Sequence, residues 1–201
     1  MFVQVIRGRV TSPEQVHAAL DRWSGQLAAG AEGWLGSTAG VTGDGRFVAL
    51  ARFESAEAAG RNSDRPEQGQ WWAETSQLFT GEVTFRDSGD VTVDVHGDPD
   101  QAGFVQVMQG RVSDLGRARE LMAQDPDDWT AFRPDVIGGV TVGHQGGAYT
   151  LVFYFTSEQA AREGERKQPP ARLKAQMEEM NQLNIGEPEF LDLTQPWLSS
   201  P

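Results

Sequence analysis

The chain contains no cysteine. Disulfides, thiolate metal sites and cysteine nucleophiles are therefore excluded, and a reducing compartment is permitted. Basic residues are scarce: 17 Lys and Arg stand against 29 Asp and Glu, for a net charge of −12. Reading a phosphate backbone takes clustered Lys and Arg, and no such cluster occurs. Neither nucleic acid nor a membrane surface is an expected partner. No stretch approaches the roughly 20 apolar residues of a membrane span. The opening Met1-Phe2-Val3-Gln4-Val5-Ile6-Arg7 has neither the basic start nor the longer apolar run of a signal peptide, so a cytoplasmic location is expected. Histidines number three, His17, His96 and His144, and none pairs with another at metal-ligand spacing. No metal and no cofactor is expected.

What the 201 residues do contain is a copy of themselves. Phe2-Val3-Gln4-Val5-Ile6-Arg7-Gly8-Arg9-Val10 returns 102 residues later as Phe104-Val105-Gln106-Val107-Met108-Gln109-Gly110-Arg111-Val112. At the same offset Gly36 meets Gly138, Gly45 meets Gly147, and Phe53-Glu54-Ser55 meets Phe155-Thr156-Ser157. A period this long is a duplicated domain, not a solenoid. The seam is the polar segment His96–Gly103, which gives repeats over 1–97 and 103–201.

Each copy carries the same order of elements. Residues 2–10 alternate as a strand. Ser12, with Pro13 at the first helical position and Gln15 to close a capping box, starts a helix whose stripe is Val16, Ala19, Leu20, Trp23 and Leu27. Strands over 34–41 and 46–53 flank the turn Thr42-Gly43-Asp44-Gly45. Ser55 caps a second helical region that resumes after Pro66, and a strand over 82–86 follows; Val91–Val95 adds a short extra strand. The second copy gives strands 104–112, 136–142, 148–155 and 187–193, a helix 114–124, and a helix 157–184 broken at Pro169-Pro170.

The order β-α-β-β-α-β, twice, defines an α+β protein of two tandem ferredoxin-like units. Strand 2–10 is apolar on both faces: Val3 and Val5 on one, Phe2, Ile6 and Val10 on the other. Two helices cover only one sheet face, so two copies packed sheet to sheet would cover the rest, as a pseudo-dimeric α/β barrel within one chain. The acidic surface is compatible with a monomer or a further homodimer.

Tandem units opening FVQV with this element order resemble the dimeric α/β-barrel superfamily, and within it the antibiotic-biosynthesis-monooxygenase (ABM) family. That superfamily holds cofactor-independent oxygenases, haem-degrading enzymes, isomerases and proteins with no known activity, so fold does not settle function. Haem-degrading members use a His on the second helix, and neither copy has one.

The copies diverge most in the second helical region. At roughly 100° per residue, Trp71, Trp72, Thr75, Leu78 and Phe79 share one face and point toward the sheet. The matching stripe of copy two is Leu173, Met177, Met180 and Leu183. The two tryptophans are either core, the usual fate of an aromatic stripe, or the wall of a cleft for a small aromatic molecule, with Asn62, Asp64 and Arg65 at its mouth. ABM-type sites place an Asn, a Trp and an Arg around a flat aromatic substrate. The resemblance carries catalytic roles to Asn62, Arg65 and Trp72; the stripe adds Trp71 and Phe79, the cleft mouth Asp64 and the strand position Gln4 as expected substrate contacts. Gln4 and Gln106 interrupt apolar strands at matching places, and each needs a backbone partner or a ligand. His17 reads as a partly exposed helix residue rather than as a general base. Asp64 and Glu74 are the nearby carboxylates that could serve as a base.

Two functions fit. One is a cofactor-independent monooxygenase acting on a planar aromatic or phenolic molecule; the other is a non-catalytic binding or accessory α/β-barrel protein.

Overall fold

The computed structural model describes residues 1–124 and 126–201. The first half runs β1 (Phe2–Arg9), α1 (Pro13–Gln26), β2 (Trp34–Val41), β3 (Arg46–Phe53), α2 (Ala56–Ser63), α3 (Pro66–Thr75), β4 (Thr84–Ser88) and β5 (Val91–Val95). The second runs β6 (Phe104–Arg111), α4 (Leu115–Met122), α5 (Pro126–Phe132), β7 (Val136–Gly143), β8 (Ala148–Phe155), α6 (Glu158–Glu165), α7 (Ala171–Leu183), β9 (Glu189–Leu193) and β10 (Trp197–Ser199). Each half is α+β and ferredoxin-like. Among the described residues, no helix is long and apolar enough to cross a membrane.

Two five-stranded antiparallel sheets form, in the orders β10-β2-β3-β1-β4 and β5-β7-β8-β6-β9. Their registers correspond residue for residue: Phe2 lies opposite Phe53 and Arg9 opposite Arg46, as Phe104 lies opposite Phe155 and Arg111 opposite Ala148. The edge strands are exchanged. β5 follows the first set of elements and joins the second sheet; β10 ends the second set and joins the first, with Trp197 opposite Ala39 and Ser199 opposite Ser37. The compact units are accordingly Met1–Val91 with Gln195–Pro201, and Thr92–Thr194.

Local chemistry explains most boundaries. The turn into β3 is closed by Gly45, at φ +82°, where a Cβ would stand 2.9 Å from the Val10 carbonyl. The hydroxyls of Ser55 and Ser157 accept from the amides of Ala58 and Ala160, capping α2 and α6 alike. Ser12 does not close the expected box: its hydroxyl donates to the Glu14 carboxylate and makes no cap bond. Helix α5 and strand β10 are absent from the pattern reading. The first is a seven-residue helix with Asp127 and Asp128 in its first turn. The second has three residues, too few for a period to show.

In the first unit α1 and α3 lie over the sheet face that bears Ile6, Ala39, Ala49 and Phe53. Val16, Phe47 and Phe79 pack in one cluster there, and Trp23, Trp34 and Ala58 in another. The opposite face is also buried at Val3, Val5, Val48 and Leu50.

A candidate ligand cavity in the first unit

Between that sheet face and the helices lies a cavity of about 120 Å³. It is of the order that accepts one aromatic ring, and at its exposed rim, by His17 and Asp21, it is open to the remainder of a larger ring system. Its floor follows from strand register. One cross-strand row reads Ser199, Ser37, Ala51, Gln4, Asp87, and the next reads Trp197, Ala39, Ala49, Ile6, Phe85. The central strand β3 thus places two methyl groups in the middle of the floor. In the second unit the same rows read Gly139, Phe153, Gln106, Asp192 and Thr141, Leu151, Met108, Phe190. Phe153 and Leu151 occupy there what Ala51 and Ala49 leave open.

The walls are aromatic. Trp23, Trp71 and Phe53 line the cavity from α1, α3 and β3, and Trp197 from β10. Hydrogen bonds fix two of the indoles: Trp23 Nε1 donates to Gln68 Oε1 at 2.6 Å, and Trp71 Nε1 to the Ala19 carbonyl at 2.9 Å. The second bond ties α3 to α1, so Trp71 serves both the helix contact and the cavity wall.

Asn62 is the buried polar group of the lining, only 6% exposed on the last turn of α2. Its Oδ1 accepts from Arg65 Nη1 at 3.0 Å. Because a guanidinium only donates, that bond fixes the amide orientation. Among the described residues nothing accepts from Nδ2, which leaves an N–H pair on a cavity-lining side chain. Arg65 itself does not line the cavity. It is anchored by a bond from Nη1 to the Leu27 carbonyl at 3.0 Å and by Glu67 at 3.0 Å from Nε. It lies against Gly30, where a Cβ would come within 2.6 Å of the guanidinium. Its place is behind Asn62, holding it.

Of the residues singled out from sequence, Gln4, Asn62 and Trp71 meet in the cavity; Asp64, Arg65, Trp72 and Phe79 are not part of its lining. Trp72 turns the other way, edge-on to Phe85 at 5.2 Å and beside Phe79 at 6.1 Å. Phe79 packs edge-on against Phe47 at 5.1 Å, in the notch left by Gly8. Asp64 is the exposed C-cap of α2, and Glu74 also lies outside the lining. Neighbouring residues on a helix point roughly 100° apart, so Trp71 can face α1 while Trp72 faces β4. The partner of Gln4 is a side chain: Nε2 donates to Asp87 Oδ2 at 3.4 Å. Gln106 does the same to Asp192 at 2.9 Å.

Asp21 and Ser24 gave no signal of their own in the sequence, where His17 and Leu20 beside them read as a partly exposed residue and a member of the core stripe. His17, Leu20, Asp21 and Ser24 recur at i, i+3, i+4 and i+7 on α1 and all line the cavity. Such a stripe beside a core stripe reads as a solvated face until β10 is laid across it: Trp197 stacks on His17, and Ser24 donates to the Ser199 hydroxyl at 3.3 Å. The signal for the floor lay in the alignment of the copies, where alanines 49 and 51 meet Leu151 and Phe153. Among the described residues, no three His, Asp or Glu side chains group as metal ligands.

No family model and no curated protein matches the chain. Solved structures do. A "putative monooxygenase" of Lactobacillus acidophilus superposes with a TM-score of 0.75 at 11% identity, covering 99% of this chain and 96% of its own. A protein of the same description from Fusobacterium nucleatum gives 0.76 at 10%, covering 99% and 94%. An anthrone oxidase-like protein gives 0.69 at 14%, covering 98% and 92%. Likeness at these identities shows the fold alone: these solved structures share the α+β, ferredoxin-like architecture over nearly the whole chain.

Proposed function

We propose that the first unit binds a planar aromatic or phenolic small molecule and that the protein is a monooxygenase needing no cofactor. One observation carries the reading: Ala49 and Ala51 stand where the second unit has Leu151 and Phe153, and the space they leave is walled by Trp23, Trp71 and Phe53. Flat rings stack on such walls, and a few fixed polar groups orient them. The fold shared with proteins described as monooxygenases and as anthrone oxidase-like supports the chemistry. An activated methylene between aromatic rings can supply every electron dioxygen takes up. Two C–H bonds break, one oxygen atom becomes a C=O and the other leaves as water. Loss of the first proton gives an enolate or phenolate, and the Asn62 amide is placed to donate to its oxygen. A donor fixed in advance, away from bulk water, stabilises such charge most. Arg65 acts through Asn62 as a positioning residue.

A second reading, binding without turnover, is favoured by the placement of Asp64 and Glu74 outside the lining. The test is a thermal-shift screen of planar phenols and anthrone on wild type and Ala51→Phe. A ligand at a hundred times its Kd stabilises by about 2.7 kcal/mol. That shift is expected in wild type and absent in the variant, which refills the floor as the second unit does. Oxygen uptake in step with anthraquinone formation identifies the enzyme; a shift without uptake identifies the binding module. No shift with any planar aromatic removes both.

A further inference from the structure

We infer that His17 is the proton acceptor of this cavity, taking the proton from a phenolic hydroxyl of the bound ring. The inference rests on the first unit being a phenol-binding site. Among the described residues lining the cavity, His17 and Asp21 are the ones with ionisable side chains. A neutral imidazole offers a nitrogen lone pair to a proton and is the side chain most often used as a general base.

The geometry holds the imidazole ready. Its ring lies flat on Trp197, with centroids 4.6 Å apart and planes inclined by 5°. Asp21, one helical turn on, places Oδ1 3.6 Å from Nε2. That carboxylate favours the tautomer with the proton on Nε2, which leaves the lone pair on Nδ1. No other charged group lines the cavity from the elements packed against His17: β10 presents Trp197, Leu198 and Ser199, and β2 presents Ser37 and Ala39. The His17 side chain is 44% exposed, so the imidazolium formed can pass its proton to water.

The step is a proton transfer and nothing else. The phenolic O–H bond breaks, its electron pair stays on oxygen, and an N–H bond forms at Nδ1. The products are a phenolate and an imidazolium facing Asp21. The second repeat carries Arg119 and Ala123 at the matching positions. A guanidinium has no lone pair to accept with, so that repeat lacks both members of the pair.

The probe is para-nitrophenol, a planar phenol whose anion absorbs in the visible, used at a pH where the free phenol is largely neutral. Binding to wild type is expected to bring up the anion band. His17→Gln is expected to bind the probe still, by thermal shift, and to lose the band about tenfold, the population ratio that one pKa unit represents. Asp21→Asn should lower the band less, as a positioning residue. Ala51→Phe should abolish binding and band together. Retention of the full band in His17→Gln would overturn the assignment, as would a wild type that binds the probe as the neutral phenol; either leaves the ligand cavity standing. A wild type that binds no planar phenol removes the cavity reading and the assignment with it.

Discussion

The two units share topology, register and glycine turns, yet they spend one sheet face differently. In the second, Phe153 and Leu151 fill the floor, Gln176 stands where the first has Trp71, since α7 opens at Ala171 as α3 does at Pro66, and Arg162 stands where the first has Gly60. That arginine lies over the Phe104 ring at 5.1 Å and is bonded to Asp192, Glu165 and Glu158; Asp192 first, and Glu165 after it, raise its pKa further above the ordinary guanidinium value. At the position of Asn62 the second unit has Gly164. A Cβ there would come within 2.5 Å of Arg133, whose guanidinium pairs with Asp135 at 2.7 Å. The polar group thus arrives from a different segment and is fully engaged. One backbone frame therefore yields a packed face or a hollow one according to a handful of side-chain volumes. The frame is set by the pairing of strands, and the hollow by what the strands carry.

That contrast can be broken from either side. Leu151→Ala should give the second unit half of the first unit's floor. Leu151 is buried, and the cavity left behind should cost about 3 kcal/mol, read as a lower urea midpoint at unchanged slope. If the loss is below half of that, the second face is looser than its packing suggests. Arg65→Ala comes next. It removes bonds to Leu27 and Asn62 and leaves a buried amide oxygen unpaired, for about 2 kcal/mol. It should also weaken retention of any phenol that Ala51→Phe excludes, and Arg65→Lys should rescue stability better than ligand retention, since an ammonium lacks the planar fork.

The smallest effect concerns the turn before β3. Asp44 accepts from the Thr42 hydroxyl and from the Arg46 guanidinium, which lowers its pKa to about 2. A carboxylate whose pKa falls on folding stabilises the native state above its ordinary pKa and loses that contribution as pH drops. The Tm difference between wild type and Asp44→Asn should therefore be constant near neutrality and vanish as pH falls toward 2. Asp44 is exposed, so the difference should be small and should shrink with salt.

Much of the frame was legible because it depends on local chemistry. Strands 34–41 and 46–53 coincide with β2 and β3, since alternation and a glycine turn specify them together. The broken helix after Ser157 appears as α6 and α7, on either side of Pro169-Pro170. Three residues of the cavity, Gln4, Asn62 and Trp71, stood out as polar or aromatic groups in unusual company. Trp72 and Phe79 did so on the same grounds, yet Trp72 closes α3 against β4, and Phe79 lies past the end of α3 at Thr75, in extended backbone that packs it against β3. Ala49 and Ala51 gave no signal alone, since alanine in a strand is ordinary filler. His17 looked like a partly exposed helix residue, and Asp21 gave no signal.

The sequence by itself determined a duplicated α+β chain, its element order, its turns and both apolar faces, because periodicity, capping and turn residues act over a few positions. Tertiary structure alone decided that β10 crosses to the first sheet, that it lays Trp197 on His17, and that Ala49 and Ala51 share a floor with Gln4. Those contacts join residues far apart in the chain, and they form only when strand pairing sets which side chains share a row and how much volume each row leaves unfilled.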